Sequence, residues 1–319
     1  DSPVTARLTF ALLHLIAFGV IARFAGRIWN PVRNPLLFSC ALAVCATVPM
    51  SAFYGKMPNH EVPGLLFFVL GVLAWGFLND ATSKGRVFLA LAAWLFAVFA
   101  SWHAAICICG WLVVMYNAQN RMRVLLSLAA VIVMTGLAGL HLLWANNWQM
   151  VASQETSVTH WLLLGDRTSL ATYFGFWKHA VGIGIGRYAY LPAIMAIAWI
   201  VAVILKRMRT HEPLTTEARG LIGLCLGSVI YFILFPRAVN NHAYQGFYLI
   251  PFVALASSMA LQKLCGERNE SEHTGIMKAC GPAILILICV LGIFLSFQMY
   301  GKTSPGATKA AADIEKQYR

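Results

Sequence analysis

Apolar residues run along the chain in blocks of about membrane length, broken by short polar stretches. Ten such blocks are read, at 6–28, 35–54, 63–79, 86–101, 103–117, 122–145, 190–206, 219–236, 243–262 and 280–300. A helix needs roughly 20 mainly apolar residues to cross a ~30 Å hydrocarbon core, so each block predicts a transmembrane helix. The blocks at 86–101 and 103–117 meet at Ser101-Trp102-His103 and predict a helical hairpin, because one uninterrupted helix would exceed what a bilayer requires. The expected fold is all-α: a polytopic transmembrane bundle of about ten spans over residues 1–300, followed by a tail at 301–319.

The stretch 146–189 is too patterned for a plain linker. Leu170, Tyr173, Phe174 and Trp177 fall at i, i+3, i+4 and i+7, one face of a helix. Asp166, Thr168 or Ser169 would cap its start. With Trp144, Trp148 and Trp161 nearby, this predicts an amphipathic helix lying in the membrane interface. Gly182, Gly184 and Gly186 follow no strand, so they read as a hinge rather than a nucleotide-binding fingerprint.

Basic residues give the bundle a direction. Arg23, Arg27 and Arg33; Lys84 and Arg86; Arg121 and Arg123; Lys206, Arg207, Arg209 and Arg219; and Lys263, Arg268 and Lys278 all fall in one set of alternating loops. The opposite short loops hold only Lys56 and Arg237, with Arg7 at the start. The long stretch adds Arg167, Lys178 and Arg187, but long loops report orientation weakly. Cytoplasmic loops carry the excess of Lys and Arg, which sets both termini and the 146–189 stretch outside.

Composition agrees with this class. Hydrophobic residues make up 59% of the chain and charged residues 11%, against about 25% charged in soluble domains. A formal net charge of +12 would suggest nucleic acid in a soluble protein; in these loops it anchors topology, and no nucleic-acid partner is expected. The eight cysteines mostly sit inside apolar runs, where Cys behaves as a small hydrophobe. Cys107 and Cys109, two apart, would face different sides of a helix, so neither a disulfide framework nor a zinc site is expected.

Reactive side chains collect in the outer loops. Tyr54-Gly55-Lys56-Met57-Pro58-Asn59-His60-Glu61 leads into the third block, Trp102 and His103 mark the hairpin turn, and Arg237, His242 and Tyr244 precede the ninth block. His14 and His141 lie near outer span ends, and Glu155, His160, Asp166 and His179 belong to the long stretch. Glu61 is the sole acid of a short outer loop. Acids at membrane depth are costly and tend to mark function, while an acid in a first helical turn is also favoured by the helix dipole; both readings stand. Arg237 is suited to gripping a phosphate bidentately or is a plain surface cation. Tyr244 and Tyr248 read as part of an interfacial aromatic belt.

Three segments carry a family resemblance. Tyr54 to Glu61 followed by an apolar span, Ser101-Trp102-His103-Ala104, and His242-Ala243-Tyr244 through Tyr248-Leu249-Ile250-Pro251-Phe252 are together similar to GT-C superfamily glycosyltransferases. The chain most resembles the branch of the protein O-mannosyltransferases, which use dolichyl-phosphate-mannose, and the bacterial aminoarabinose transferases. The resemblance implies transfer of a sugar from a polyprenyl-phosphate donor to a lipid, glycan or protein acceptor on the non-cytoplasmic face, with inversion. It implies Glu61, His60 and His103 as catalytic residues, and Lys56, Trp102, Arg237, His242 and Tyr244 as substrate-binding residues. Lys56, Arg237 and His242 would stabilise the leaving phosphate, while Glu61 would position the acceptor or bind a divalent metal. No other cofactor is implied. A bacterial inner membrane, with the active face periplasmic or extracellular, is the expected location. Family members carry a further span and an acidic outer loop before the segment that Ala6-Arg7-Leu8 resembles, so the principal catalytic base is expected upstream of Asp1.

A secondary transporter or lipid flippase is the competing class. Transporters place broken helices and polar residues at the bilayer midplane within paired repeats, whereas this sequence has no clear repeat and no midplane acid. A non-catalytic membrane scaffold would require the polar outer loops to be dispensable.

Overall fold

The computed structural model describes residues 3–28, 35–55, 60–76, 84–117, 119–145, 186–235, 243–265 and 280–298, with Gly175 and Lys178. Among these residues every regular element is helical. In chain order they are α1 (Pro3–Ile28), α2 (Pro35–Thr47), α3 (Pro49–Tyr54), α4 (Glu61–Trp75), α5 (Lys84–Ala100), α6 (Trp102–Met115), α7 (Arg121–Ala145), α8 (Leu191–Thr210) and α9 (Thr216–Leu234). A 3₁₀ turn (Ala243–Leu249) then runs into α10 (Ile250–Cys265), and α11 is Cys280–Gln298.

The breaks follow from local chemistry. Val48 precedes Pro49 and takes an extended backbone (φ −61°, ψ 136°), as the clash with a following proline ring demands. The single block expected at 35–54 is therefore two helices. Ser101 is extended as well (φ −153°, ψ 120°). There the chain turns back, since Trp94 of α5 and Trp111 of α6 lie 6.0 Å apart, and the expected hairpin is present. Apart from Gly175, the patterned face at 170–177 expected to form the interfacial helix lies outside the described residues, as does the tail at 301–319.

Among the described residues six helices are long and apolar enough to cross a membrane: α1, α7, α8, α9, α10 with its preceding turn, and α11. α2, α4 and α6 are apolar but shorter, at 13, 15 and 14 residues. At 1.5 Å per residue, α4 reaches only about 22 Å. The six also differ in position. The apolar windows of α1, α7, α8 and α11 are 22–28% buried, while that of α10 is 72% buried. α10 is thus an interior helix, α9 at 44% is intermediate, and α1, α7, α8 and α11 lie at the periphery. Their outward side chains, among them Leu8, Leu126, Ile132, Met208, Ile286 and Phe297, are large, apolar and exposed. A water-soluble monomer rarely exposes a contiguous apolar patch beyond a few hundred Å²; in hydrocarbon such a surface carries no penalty. The chain is an integral membrane protein.

Small residues let the interior helices touch. A Cβ on Gly227 of α9 would lie 2.3 Å from Cys107 Cα of α6, and one on Gly110 would lie 2.6 Å from Gly227 Cα. Gly223 and Gly227 form the G-x-x-x-G spacing that brings membrane helices into backbone contact. Trp75, Trp94 and Trp111 fill the space between α4, α5 and α6, with Trp94 Nε1 donating to the Phe68 carbonyl at 3.3 Å. At one end of the bundle, Arg219 donates to the carbonyls of Val114 (3.1 Å) and Tyr116 (2.8 Å), satisfying the C-terminus of α6. Asn117 and Asn120 exchange side-chain-to-backbone bonds in the adjoining turn. The antiparallel α6–α9 pair places a different set of residues at the opposite end.

Candidate functional site

That opposite end is built from four segments. α4 begins there with Glu61, α5 and α6 meet there at Ser101, α9 ends there beyond Tyr231, and the 3₁₀ turn delivers Phe247 and Tyr248. Glu61 is the only buried acid among the described residues, at 2% exposure. Its Oε1 lies 3.4 Å from Nε2 of His60, whose side chain is 55% exposed. The arrangement is an outward imidazole backed by an inward carboxylate. The first-turn position of Glu61 also suits the α4 dipole.

Electrostatics follow from that geometry. The hydrogen bond to Glu61 raises the pKa of His60 above the ordinary imidazole value; partial burial opposes this, and the nearby carboxylate charge adds to it. Inside, Glu61 interacts electrostatically with Ser101, His103 and Tyr248. His103 is 1% exposed and lies between two tyrosines. Its ring centroid is 3.5 Å from that of Tyr231, in a stack, and 4.6 Å from that of Tyr248. Neither ring nitrogen of His103 has a hydrogen-bond partner among the described residues. A buried imidazole of this kind is costly unless something meets it.

Gly64 makes this cluster sterically feasible. One turn into α4 from Glu61, its missing Cβ leaves room for the Tyr248 hydroxyl, which would otherwise be 2.2 Å away. Beside the cluster, buried His14 of α1 packs edge-on against Phe18 (4.3 Å) and Phe247 (5.2 Å). It presses so closely on Gly55 that a Cβ there would meet its ring. The Tyr188 hydroxyl donates to the Gly246 carbonyl and so tethers the 3₁₀ turn to the segment entering α8.

Of the residues expected at the site, Glu61, His60 and His103 come together. Trp102 is adjacent, 44% exposed, with its ring 5.4 Å from Tyr231 and 5.0 Å from Phe235. Lys56, Arg237 and His242 lie outside the described residues. Tyr244 falls in the 3₁₀ turn, but its side chain is not described. Exposed His141, near Phe99 and Trp144, stands apart from the cluster. No group of three or more His, Cys, Asp or Glu side chains able to hold a metal occurs among the described residues.

Sequence reading missed Ser101, Tyr231 and Gly64 as parts of the site and took Tyr248 for an interfacial anchor. Tyr231 lies inside an apolar run; its i+4 spacing to Phe235 was the available signal. The fold and this buried polar end define the class as a polytopic helical membrane protein whose buried ionisable side chains, among the described residues, gather at one end of its bundle. No protein-family model, curated protein or solved structure matches the chain.

Proposed function

We propose that the protein is a membrane glycosyltransferase that moves a sugar from a polyprenyl-phosphate donor to an acceptor at the membrane face where His60 lies. The observation that carries this reading is the exposed His60 imidazole backed by the buried Glu61 carboxylate, beside His103, whose ring nitrogens meet no partner among the described residues. A carboxylate behind an imidazole strengthens it as a base and stabilises the imidazolium that forms, which is what general-base removal of a hydroxyl proton requires.

In the reaction, an acceptor hydroxyl gives its proton to His60, which takes the part of the base that the resemblance placed upstream of Asp1, as its oxygen bonds to the anomeric carbon of the sugar. The bond from that carbon to the phosphate oxygen breaks, and the polyprenyl phosphate leaves with the electron pair. Attack from the face opposite the leaving group inverts the anomeric centre. Lys56, Arg237 and His242 are the cations assigned to the leaving phosphate. His103 and Tyr248 lie behind Glu61 and complete the buried polar surroundings of its carboxylate.

A lateral groove of about 410 Å³ between α6, α7 and α9 supports a lipid-borne substrate. Ile106, Cys109, Val113, Ile132, Leu226 and Ile230 line it. Trp102, Ile106, Cys109 and Val113 fall at i, i+4, i+7 and i+11 on α6, so the groove runs along one helix face up to Trp102. An isoprenoid tail entering from the bilayer would be guided toward the His103–Tyr231 stack. In this reading all ten helical segments cross the bilayer, with α2–α3 as one bent span. The loops rich in Lys and Arg are cytoplasmic and the His60 face is periplasmic.

The test is transfer of labelled sugar by the purified protein in liposomes across a panel of polyprenyl-phosphate donors. Transfer with at least one donor is expected. No transfer across the panel, together with solute flux or lipid scrambling, would replace this reading with a transporter or flippase.

A further inference from the structure

A second groove, far from the His60 cluster, has the shape and charge of an amphiphile site. It lies between the end of α8 and the beginning of α9 and encloses about 380 Å³. Val203, Ile204, Leu214 and Ile222 form an apolar trough, and Arg207 and His211 stand at its rim. The rim is fixed by the backbone: His211 ends α8 in the left-handed conformation (φ 55°), and its N–H donates to the Arg207 carbonyl at 2.9 Å. The two polar side chains are thus held one helical turn apart at one end of an otherwise apolar channel.

Position and charge select the occupant. α8 is a peripheral helix long enough to cross a membrane, and Ile197, Val201, Ile204 and Leu205 are exposed along it. Its last turn, where the apolar run gives way to Lys206, Arg207 and Arg209, therefore lies where hydrocarbon meets head groups. Among the described residues, the one carboxylate in ion-pair range of these three is Glu212, 3.9 Å from Lys206. Among the described residues no carboxylate lies in ion-pair range of Arg207 or Arg209. Nearby Arg219 is already engaged with the Val114 and Tyr116 carbonyls.

We propose that this groove binds one anionic phospholipid, with its phosphate between Arg207 and His211 and an acyl chain along Val203, Ile204 and Ile222. A guanidinium offers a phosphate two parallel hydrogen bonds, and basic pockets at the ends of membrane helices recruit acidic head groups. A zwitterionic lipid would bring its own cation against Arg207 and Arg209, which disfavours it. The site is independent of the transferase reading and requires only that the protein span a membrane.

The experiment measures retention of phosphatidylglycerol by the full chain, by native mass spectrometry after purification from nanodiscs of mixed phosphatidylglycerol and phosphatidylcholine. Phosphatidylglycerol is expected to be retained over phosphatidylcholine. Arg207→Gln is expected to weaken retention about fivefold, the loss of one basic contact, and adding His211→Gln to weaken it further. Lys84→Gln, an equal charge change on α5, should leave retention unchanged. Ile222→Trp, which fills the trough and keeps the charges, should abolish it. Equal losses in Arg207→Gln and Lys84→Gln would overturn the proposal in favour of diffuse surface attraction. Equal retention of phosphatidylcholine, or competition by glycerol phosphate as strong as by the lipid, would overturn it as well.

Discussion

Replacing Gly64 with alanine tests the packing of the buried cluster at a single atom. The new methyl carbon would stand 2.2 Å from the Tyr248 hydroxyl oxygen and 3.2 Å from Ser101 Cβ. Ordinary contact begins near 3.4 Å, so the hydroxyl must retreat by about 1.2 Å. Space behind it is limited, since the Tyr248 ring already packs against His103 at 4.6 Å and Phe68 at 5.7 Å. Overpacking of this kind costs about 1–3 kcal/mol, partly offset by the roughly 0.5–1 kcal/mol that alanine contributes over glycine within a helix. A net loss of about 0.5–2 kcal/mol is expected.

The partner substitution sharpens the test. In Tyr248→Phe the clashing oxygen is gone, and the nearest ring carbon is 3.4 Å from the added methyl. Combining it with Gly64→Ala should therefore recover most of the loss, a coupling of about 1–2 kcal/mol. Unfolding of the wild type, both single variants and the double variant in the same micelles measures it. Gly64→Ala as stable as wild type, or a double variant showing only the sum of the single effects, would refute the placement of Tyr248 against α4.

Three further substitutions probe the scaffold. Gly227→Leu would drive a side chain into the Cys107 backbone and should abolish monodisperse folded protein in size-exclusion chromatography. Gly136→Ala on α7, where a Cβ meets nothing within 4 Å, should be neutral or stabilising by up to about 1 kcal/mol. Arg219→Gln leaves the end carbonyls of α6 without their guanidinium donor and should lower stability by about 1–3 kcal/mol in denaturant titration.

Long-period features were legible in the sequence, because membrane-length apolar blocks and alternating basic loops need no tertiary knowledge. Pro49 was visible too, yet its effect on Val48 was absorbed into a block defined by hydropathy alone. Glu61 and His60 stood out as polar residues at a block boundary, and His103 as one at a turn. Tyr231 and Tyr248 did not, since an aromatic ring inside an apolar run reads alike whether it faces lipid, core or a buried imidazole. Gly64 acquires meaning only from Tyr248, 184 residues further along.

The pH dependence of sugar transfer addresses the His60–Glu61 pair most directly. A base must be neutral to accept a proton, so transfer should rise with pH through the raised pKa of His60. The same shift makes the pair's contribution to stability complete below the ordinary imidazole pKa and lost as pH rises through the raised one. In Glu61→Gln the main cause of the upward shift is gone and partial burial remains. The rising limb should then move to lower pH with a reduced plateau, and in His60→Gln that limb should vanish. A profile that keeps its midpoint and plateau in both variants would contradict the assignment of this pair to proton transfer.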